Sequence, residues 1–187
     1  VREIDPHVEV FERFGAHLTR TDDSLIVRND RRMLANDHWL DYASVTTTEN
    51  FALCAAAAQG TSTLVNAASE PHVQEFCRFL AMLGVGIEGI GTSRLSVTGG
   101  GRLGGGEFRF SEDFHEIATF LALGAITGGD IAVKNSAPEQ FPLIDRTFAK
   151  FGVNVEHRNG WSRALSDGPL HVRRPFTQNI LTKVEAA

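Results

Sequence analysis

The chain has 187 residues, 42% hydrophobic and 22% charged, with a formal net charge of −5. These are the proportions of a globular protein, long enough for one ordinary domain or parts of two. The negative balance argues against a general affinity for nucleic acid, and no apolar run approaches the roughly 18 residues of a membrane helix. No signal-peptide pattern is visible. Cys54 and Cys77 fall in apolar helical segments with neither metal-ligand spacing nor a disulfide framework. They read as buried, reduced thiols of a cytoplasmic protein.

In chain order, a helix continuing to Phe14 comes first, followed by Gly15. Phe11, Phe14, Gly15 and Ala16 return as Phe79, Leu83, Gly84 and Val85, then as Phe148, Phe151, Gly152 and Val153. The glycines lie 69 and 68 residues apart (15 to 84, 84 to 152). That period is too long for a small solenoid repeat and marks a unit of several elements. Each full copy reads helix, strand, helix, strand, strand.

A helix is predicted from Thr46 to Gln59, opened by the capping-box spacing Thr46-x-x-Glu49 and closed by Gly60. Thr61–Val65 alternates as a strand. Ser69-Glu70-Pro71 opens a helix carrying Val73, Phe76, Phe79, Leu80 and Leu83 on one face, and Gly84 ends it. Strands follow near Val85–Ile90 and Arg94–Thr98. The glycine run Gly99–Gly106 lacks the lysine of a phosphate loop and reads as a tight turn or interdomain connection, with an anion-binding loop as the alternative.

The next copy repeats the plan. Asp113-x-x-Glu116 caps a helix that Gly128-Gly129 stops. A strand at Ile131–Lys134, a helix at Phe141–Phe151 and strands near Val153–His157 and Trp161–Leu165 follow, with one more strand expected within His171–Val184. Asp113, His115 and Glu116 read as helix capping, with metal ligation as the weaker alternative. Glu70 is explained by its place in a helix first turn. His7 and His38 have no evident partner in the sequence, and Trp39 and Trp161 read as packing residues.

These phrases resemble the enolpyruvyl transferase family. Ser44-Val45, the small-residue helix end Ala55–Gly60, Val65 to Pro71 (VNAASEP) and Leu83-Gly84 carry the likeness. Gly89-x-Gly91-Thr92, Arg102 to Gly106 and Glu116-x-x-Thr119-Phe120-Leu121 complete it. Within the family the phrases are most similar to the branch acting on UDP-N-acetylglucosamine; the shikimate branch lacks the Asn66–Pro71 phrase in this form. The resemblance implies an α/β fold of repeated βαβαββ units in an inside-out α/β barrel, helices within and sheets outside. It places residues 1–111 at the end of a first domain and 112–187 in the first repeat of a second. The chain is therefore expected to be a central piece of a longer enzyme.

The implied reaction moves enolpyruvyl from phosphoenolpyruvate to the 3-hydroxyl of UDP-N-acetylglucosamine. It would serve peptidoglycan precursor synthesis in the cytoplasm, with no cofactor or metal. The family's catalytic groups map outside residues 1–187, so none is expected here and the isolated chain is expected to be inactive. Two substrate-binding stretches do map onto it. Arg2 and Asp5 fall in the uracil-holding stretch, Asp5 alternatively being a helix cap. Tyr42, Ser44, Val45 and Thr46 fall in the diphosphate-facing stretch, where Tyr42 replaces a lysine; Ser44–Thr46 alternatively cap a helix. The partners expected are these two substrates and the rest of a two-domain enzyme, with no membrane or nucleic acid. A paralogue with another acceptor, or a module retaining only the fold, are the other readings. Half-built repeat faces should leave apolar helix surface exposed and make the isolated chain self-associate.

Overall fold

A computed structural model describes residues 4–166 and Leu170. The chain forms two compact units that divide between Phe108 and Arg109.

In the first unit, α1 (Asp5–Arg13) leads to a hairpin of β1 (His17–Arg20) and β2 (Leu25–Arg28). The complete repeat follows: β3 (Asp37–Trp39), α2 (Val45–Ala57), β4 (Gly60–Val65), α3 (Pro71–Met82), β5 (Gly86–Glu88) and β6 (Arg94–Gly99). Its sheet runs β3-β4-β6-β5, with β3 parallel to β4 and the other pairs antiparallel. The core closes around Phe51 of α2, which meets Phe14 edge-on at 5.4 Å, with Val10, Leu64, Leu80 and Val97. The alanines Ala52, Ala55 and Ala56 let α2 lie close to the sheet, and all three are buried.

The second unit repeats this without a leading strand among the described residues. It contains α4 (Phe114–Thr127), β7 (Ala132–Lys134), a 3-10 turn at Pro138–Gln140, α5 (Pro142–Lys150), β8 (Val153–Arg158) and β9 (Trp161–Ser166). The order β7-β9-β8 copies β4-β6-β5, again antiparallel throughout. Ile117, Leu121, Phe141 and Val153 form its core. The opposite side of α4 leaves Phe120, Leu123 and Ile126 exposed, Ile126 at 72%.

The repeating glycine has one job in all three copies. Gly15, Gly84 and Gly152 have φ of +92°, +102° and +82°, a left-handed geometry that side chains resist. After α3, Gly84 N–H donates to the Ala81 carbonyl at 3.0 Å and Val85 N–H to Leu80 at 3.1 Å, a Schellman ending. The same pair of bonds closes α1 through Gly15 and Ala16.

Several boundaries differ from the sequence reading. Ser44, not Thr46, is the N-cap of α2, because its hydroxyl accepts from Thr47 N–H at 3.4 Å. Gly60 does not end α2: the helix stops at Ala57, Ala58 is extended, and Gly60 opens β4 with φ +107°. The hairpin β1–β2 and the three-residue β3 add strands the sequence did not reveal. Glu70 occupies the N-cap of α3 rather than its first turn and makes no side-chain cap. Gly99 and Gly100 press against the end of α2, with Gly100 N–H bonded to Ala56 at 3.1 Å, and Gly104 N–H bonds Leu83 at 2.7 Å. The glycine run thus packs at its first two residues and crosses the surface from Gly101 to Gly105. The strand expected within His171–Val184 lies outside the described residues.

Candidate substrate-binding site

Asp5 is the first residue of α1 and does not cap it; Ile4 holds the cap position and no side chain closes the helix start. The carboxylate instead lines a groove of about 510 Å³, shared with Glu9 and Glu12 of the same helix and Leu40, Asp41 and Tyr42 after β3. Asp5 and Tyr42, 37 positions apart, are thereby brought to one concavity. Tyr42 is 51% exposed. Among the described residues, the titratable side chains lining this groove are carboxylates and the Tyr42 phenol. Arg13, nearby on α1, is paired with Glu9 at 3.3 Å.

Beside the groove, α2 begins. Ser44 N–H is held by the Tyr42 carbonyl at 2.8 Å, a tight turn that aims the chain into the helix. The Ser44 hydroxyl is used within the protein, bonding Thr47 N–H and the Thr47 hydroxyl at 2.8 Å. Val45 packs on the core, so its side chain is structural and only its amide remains at the helix start. Thr46 is exposed. Thr48 anchors the turn from below, donating to the Ser44 carbonyl at 2.7 Å and accepting from Ala68 N–H at 3.0 Å. The first turn of α2 carries no acidic side chain. Its amides and the positive end of the helix dipole are therefore arranged for an anion. Arg2 lies outside the described residues.

His7, which had no evident partner in the sequence, and Asn50, which the sequence did not single out, join these pieces. Asn50 Nδ2 reaches His7 Nδ1 at 2.8 Å, and His7 Nε2 meets Thr46 Oγ1 at 3.3 Å. The start of α1 is thus tied to the start of α2. The bonded pairs lie 39 and 43 residues apart, so no local spacing announced them. His38 is buried at 5% exposure, its Nδ1 3.8 Å from Glu9 Oε1, with no hydrogen-bond partner among the described residues. Burial pushes its pKa below the usual histidine value, and Glu9 partly opposes that.

Other reactive-looking groups read as structural. Asp113 caps α4, accepting from His115 N–H at 2.8 Å and Glu116 N–H at 3.4 Å, and no group of three or more metal-ligating side chains occurs among the described residues. Burial pushes both thiols up to about 11, which keeps them protonated and inert. In the second unit Ser162 Oγ meets His157 Nδ1 at 2.7 Å, and His157 Nε2 meets Asp145 at 3.1 Å. Ser162 is 0% exposed and also accepts from Asn135 Nδ2 at 2.8 Å, so it cannot attack a substrate. No described helix is long and apolar enough to cross a membrane.

Comparison with known proteins agrees with this architecture. Residues 1–178 match the family described as EPSP synthase (3-phosphoshikimate 1-carboxyvinyltransferase). A UDP-N-acetylglucosamine 1-carboxyvinyltransferase from Borreliella burgdorferi is 37% identical over 156 residues, covering 83% of this chain. The chain spans only 36% of that relative's length. Among solved structures, the enolpyruvyl transferase NikO from Streptomyces tendae superposes with a TM-score of 0.76 at 20% identity, over 91% of this chain and 44% of its own. EPSP synthase from Acinetobacter baumannii gives 0.61 at 19% identity, over 87% of this chain and 38% of its own. The repeated unit, the family match and the superpositions together establish that the chain belongs to the enolpyruvyl transferase family, the family of EPSP synthase.

Proposed function

We propose that the chain is the central part of an enolpyruvyl transferase and forms part of its nucleotide-binding wall. The whole protein would move enolpyruvyl from phosphoenolpyruvate to the 3-hydroxyl of UDP-N-acetylglucosamine in the cytoplasm, for peptidoglycan precursor synthesis. Residues 1–111 would end its first domain and 112–187 would begin its second. The carrying observation is the convergence of Asp5 and Tyr42 on one groove, with the start of α2 following Tyr42 by two to three residues. In this reading the amides of Val45 and Thr46 and the Thr46 hydroxyl take a phosphate oxygen. Tyr42 lies against the nucleotide, and Asp5 with Arg2 meets the base. Addition and elimination at phosphoenolpyruvate need a proton donor and cationic groups. In this reading those lie elsewhere in the longer protein. The relatives' names support the acceptor.

A second reading has its own observation. Among the described residues, four carboxylates (Asp5, Glu9, Glu12, Asp41) and a tyrosine make a poor lining for a dianion. A paralogue whose acceptor places less negative charge here fits that lining. Calorimetric titration of the full-length protein with UDP-N-acetylglucosamine, followed by phosphate release with phosphoenolpyruvate, separates the two. Binding plus release is expected. Failure of both would move the assignment to another acceptor.

A further inference from the structure

One carboxylate oxygen of α1 stands between two bases. Glu9 Oε1 is 3.3 Å from Arg13 Nη2 and 3.8 Å from His38 Nδ1. The contact with Arg13 is a surface ion pair, with both side chains half exposed. The approach to His38 is not a hydrogen bond. Both ring nitrogens of His38 are buried without a hydrogen-bond partner among the described residues, and its side chain is 2% exposed. His38 shares the inward face of β3 with the buried Leu40 that follows the strand, and Glu9 reaches it from α1. Such a site suits a neutral ring. A protonated ring carries N–H on both nitrogens. One would face Glu9 Oε1 and compete with Arg13 for it. The other would remain buried with no acceptor.

The charges acting on the ring are Glu9 and Arg13 from α1 and Asp41 after β3. Strand β4, which pairs with β3 opposite His38 at Leu64, carries no titratable side chain. Helix α2 carries Glu49, on which His72 acts, and Cys54, which stays protonated. Burial outweighs these charges and disfavours the cation; Glu9 and Asp41 offset part of that, and Arg13 adds to it. The folded protein therefore resists a proton that the unfolded chain accepts. Seating of α1 is complete above the ordinary histidine value of 6.5 and weakens as pH falls below it.

We infer that His38 is a pH-sensitive latch beneath α1. Neutral, it lets α1 seat on β3; protonated, it draws Glu9 from Arg13 and loosens α1 together with the carboxylates that α1 gives the groove. The latch does not depend on the nucleotide reading, since it concerns the wall of the groove and not its occupant.

The test uses the full-length protein, with histidine titrations followed by NMR and amide exchange corrected for its intrinsic pH dependence. Exchange in α1, relative to β8 and β9, should be on the order of threefold faster or more at about pH 5.5 than at about pH 7.5. His38→Gln should remove that difference. Two surface substitutions carry the test if that buried one does not fold. Arg13→Gln leaves Glu9 to His38 and should raise the midpoint of the His38 titration, and Glu9→Gln should lower it. His7 also ties α1 in place, through α2, so His7→Gln should leave the acid difference standing. An acid difference that persists in His38→Gln or vanishes in His7→Gln would overturn the inference. So would a His38 midpoint that neither surface substitution moves.

Discussion

The two copies of the repeat share one backbone plan and cap its helix start with different chemistry. In the first, α2 is capped by the neutral Ser44, with no acidic side chain in its first turn. In the second, α4 is capped by Asp113 and carries Glu116 in its first turn. A carboxylate at a helix N-terminus neutralises the dipole from within, and a hydroxyl leaves it for a ligand. In the proposed reading the same element is a ligand site in one copy and self-satisfied in the other, and the capping residue makes the difference.

The cores diverge in the same spirit. The inward positions of β6 are Leu95 and Val97, whereas β9 offers Ser162 and Ala164. Residues Val73, Cys77 and Leu80 bury α3, while α5 has no fully buried residue. The second unit instead joins α5 to its sheet through Asp145, His157, Ser162 and Asn135. Even the asparagine that repeats after the strand differs in role: Asn66 Nδ2 donates to the Leu40 carbonyl at 2.9 Å, and Asn135 Nδ2 to Ser162 Oγ.

Substitutions can break this contrast copy by copy. The largest effect is expected from Phe51→Ala, which empties the apolar core of the first unit at a cost of about 3–5 kcal/mol. Hydrogen exchange should show protection lost in α2 and β4 first and retained in β8 and β9; uniform loss would mean the units do not unfold separately. Ser162→Ala should cost about 1–3 kcal/mol in the second unit, because it strands a buried asparagine amide and a histidine nitrogen. Denaturant melts would check this, and a change below about 0.5 kcal/mol would mean the network is not structural. Asp113→Ala should cost about 1 kcal/mol as a lost cap, with no effect on nucleotide affinity.

The smallest effect is a pH dependence. The Ser136 hydroxyl and amide, more than Lys134, hold Glu112 down to about 2 from its ordinary 4.5. Its folded pKa is depressed, so its stabilisation is present above about 4.5 and is lost as pH falls toward 2. The group is partly exposed, so the loss should stay below about 1 kcal/mol. Glu112→Gln should flatten that acid limb; an unchanged limb would show that other carboxylates set it.

The sequence carried the repeat because its glycines are backbone requirements: Gly15, Gly84 and Gly152 hold the same left-handed ending. The helices α3 and α5 were legible because their apolar spacing follows one face. β3 was not, since three residues show no period, and β1–β2 was not, because Leu25, Ile26 and Val27 run apolar without alternation. Of the proposed site, Tyr42 and Ser44–Thr46 were marked as a stretch only by the family resemblance. The groove joining Tyr42 to Asp5 was not, because chain reversal through β3 creates it. His7 and Asn50 carry no local signal; their meaning exists only once α1 lies against α2.

The central claim is that the neutral cap of α2 leaves its start free to hold a nucleotide phosphate. The direct test moves the cap of the second copy into the first: Ser44→Asp in the full-length protein, titrated with UDP-N-acetylglucosamine. An aspartate should cap α2 as well as serine does, so the melting temperature should hold. A charge about 4 Å from the phosphate should weaken binding on the order of 100-fold. Full affinity in the variant, or its loss together with the fold, would contradict the account.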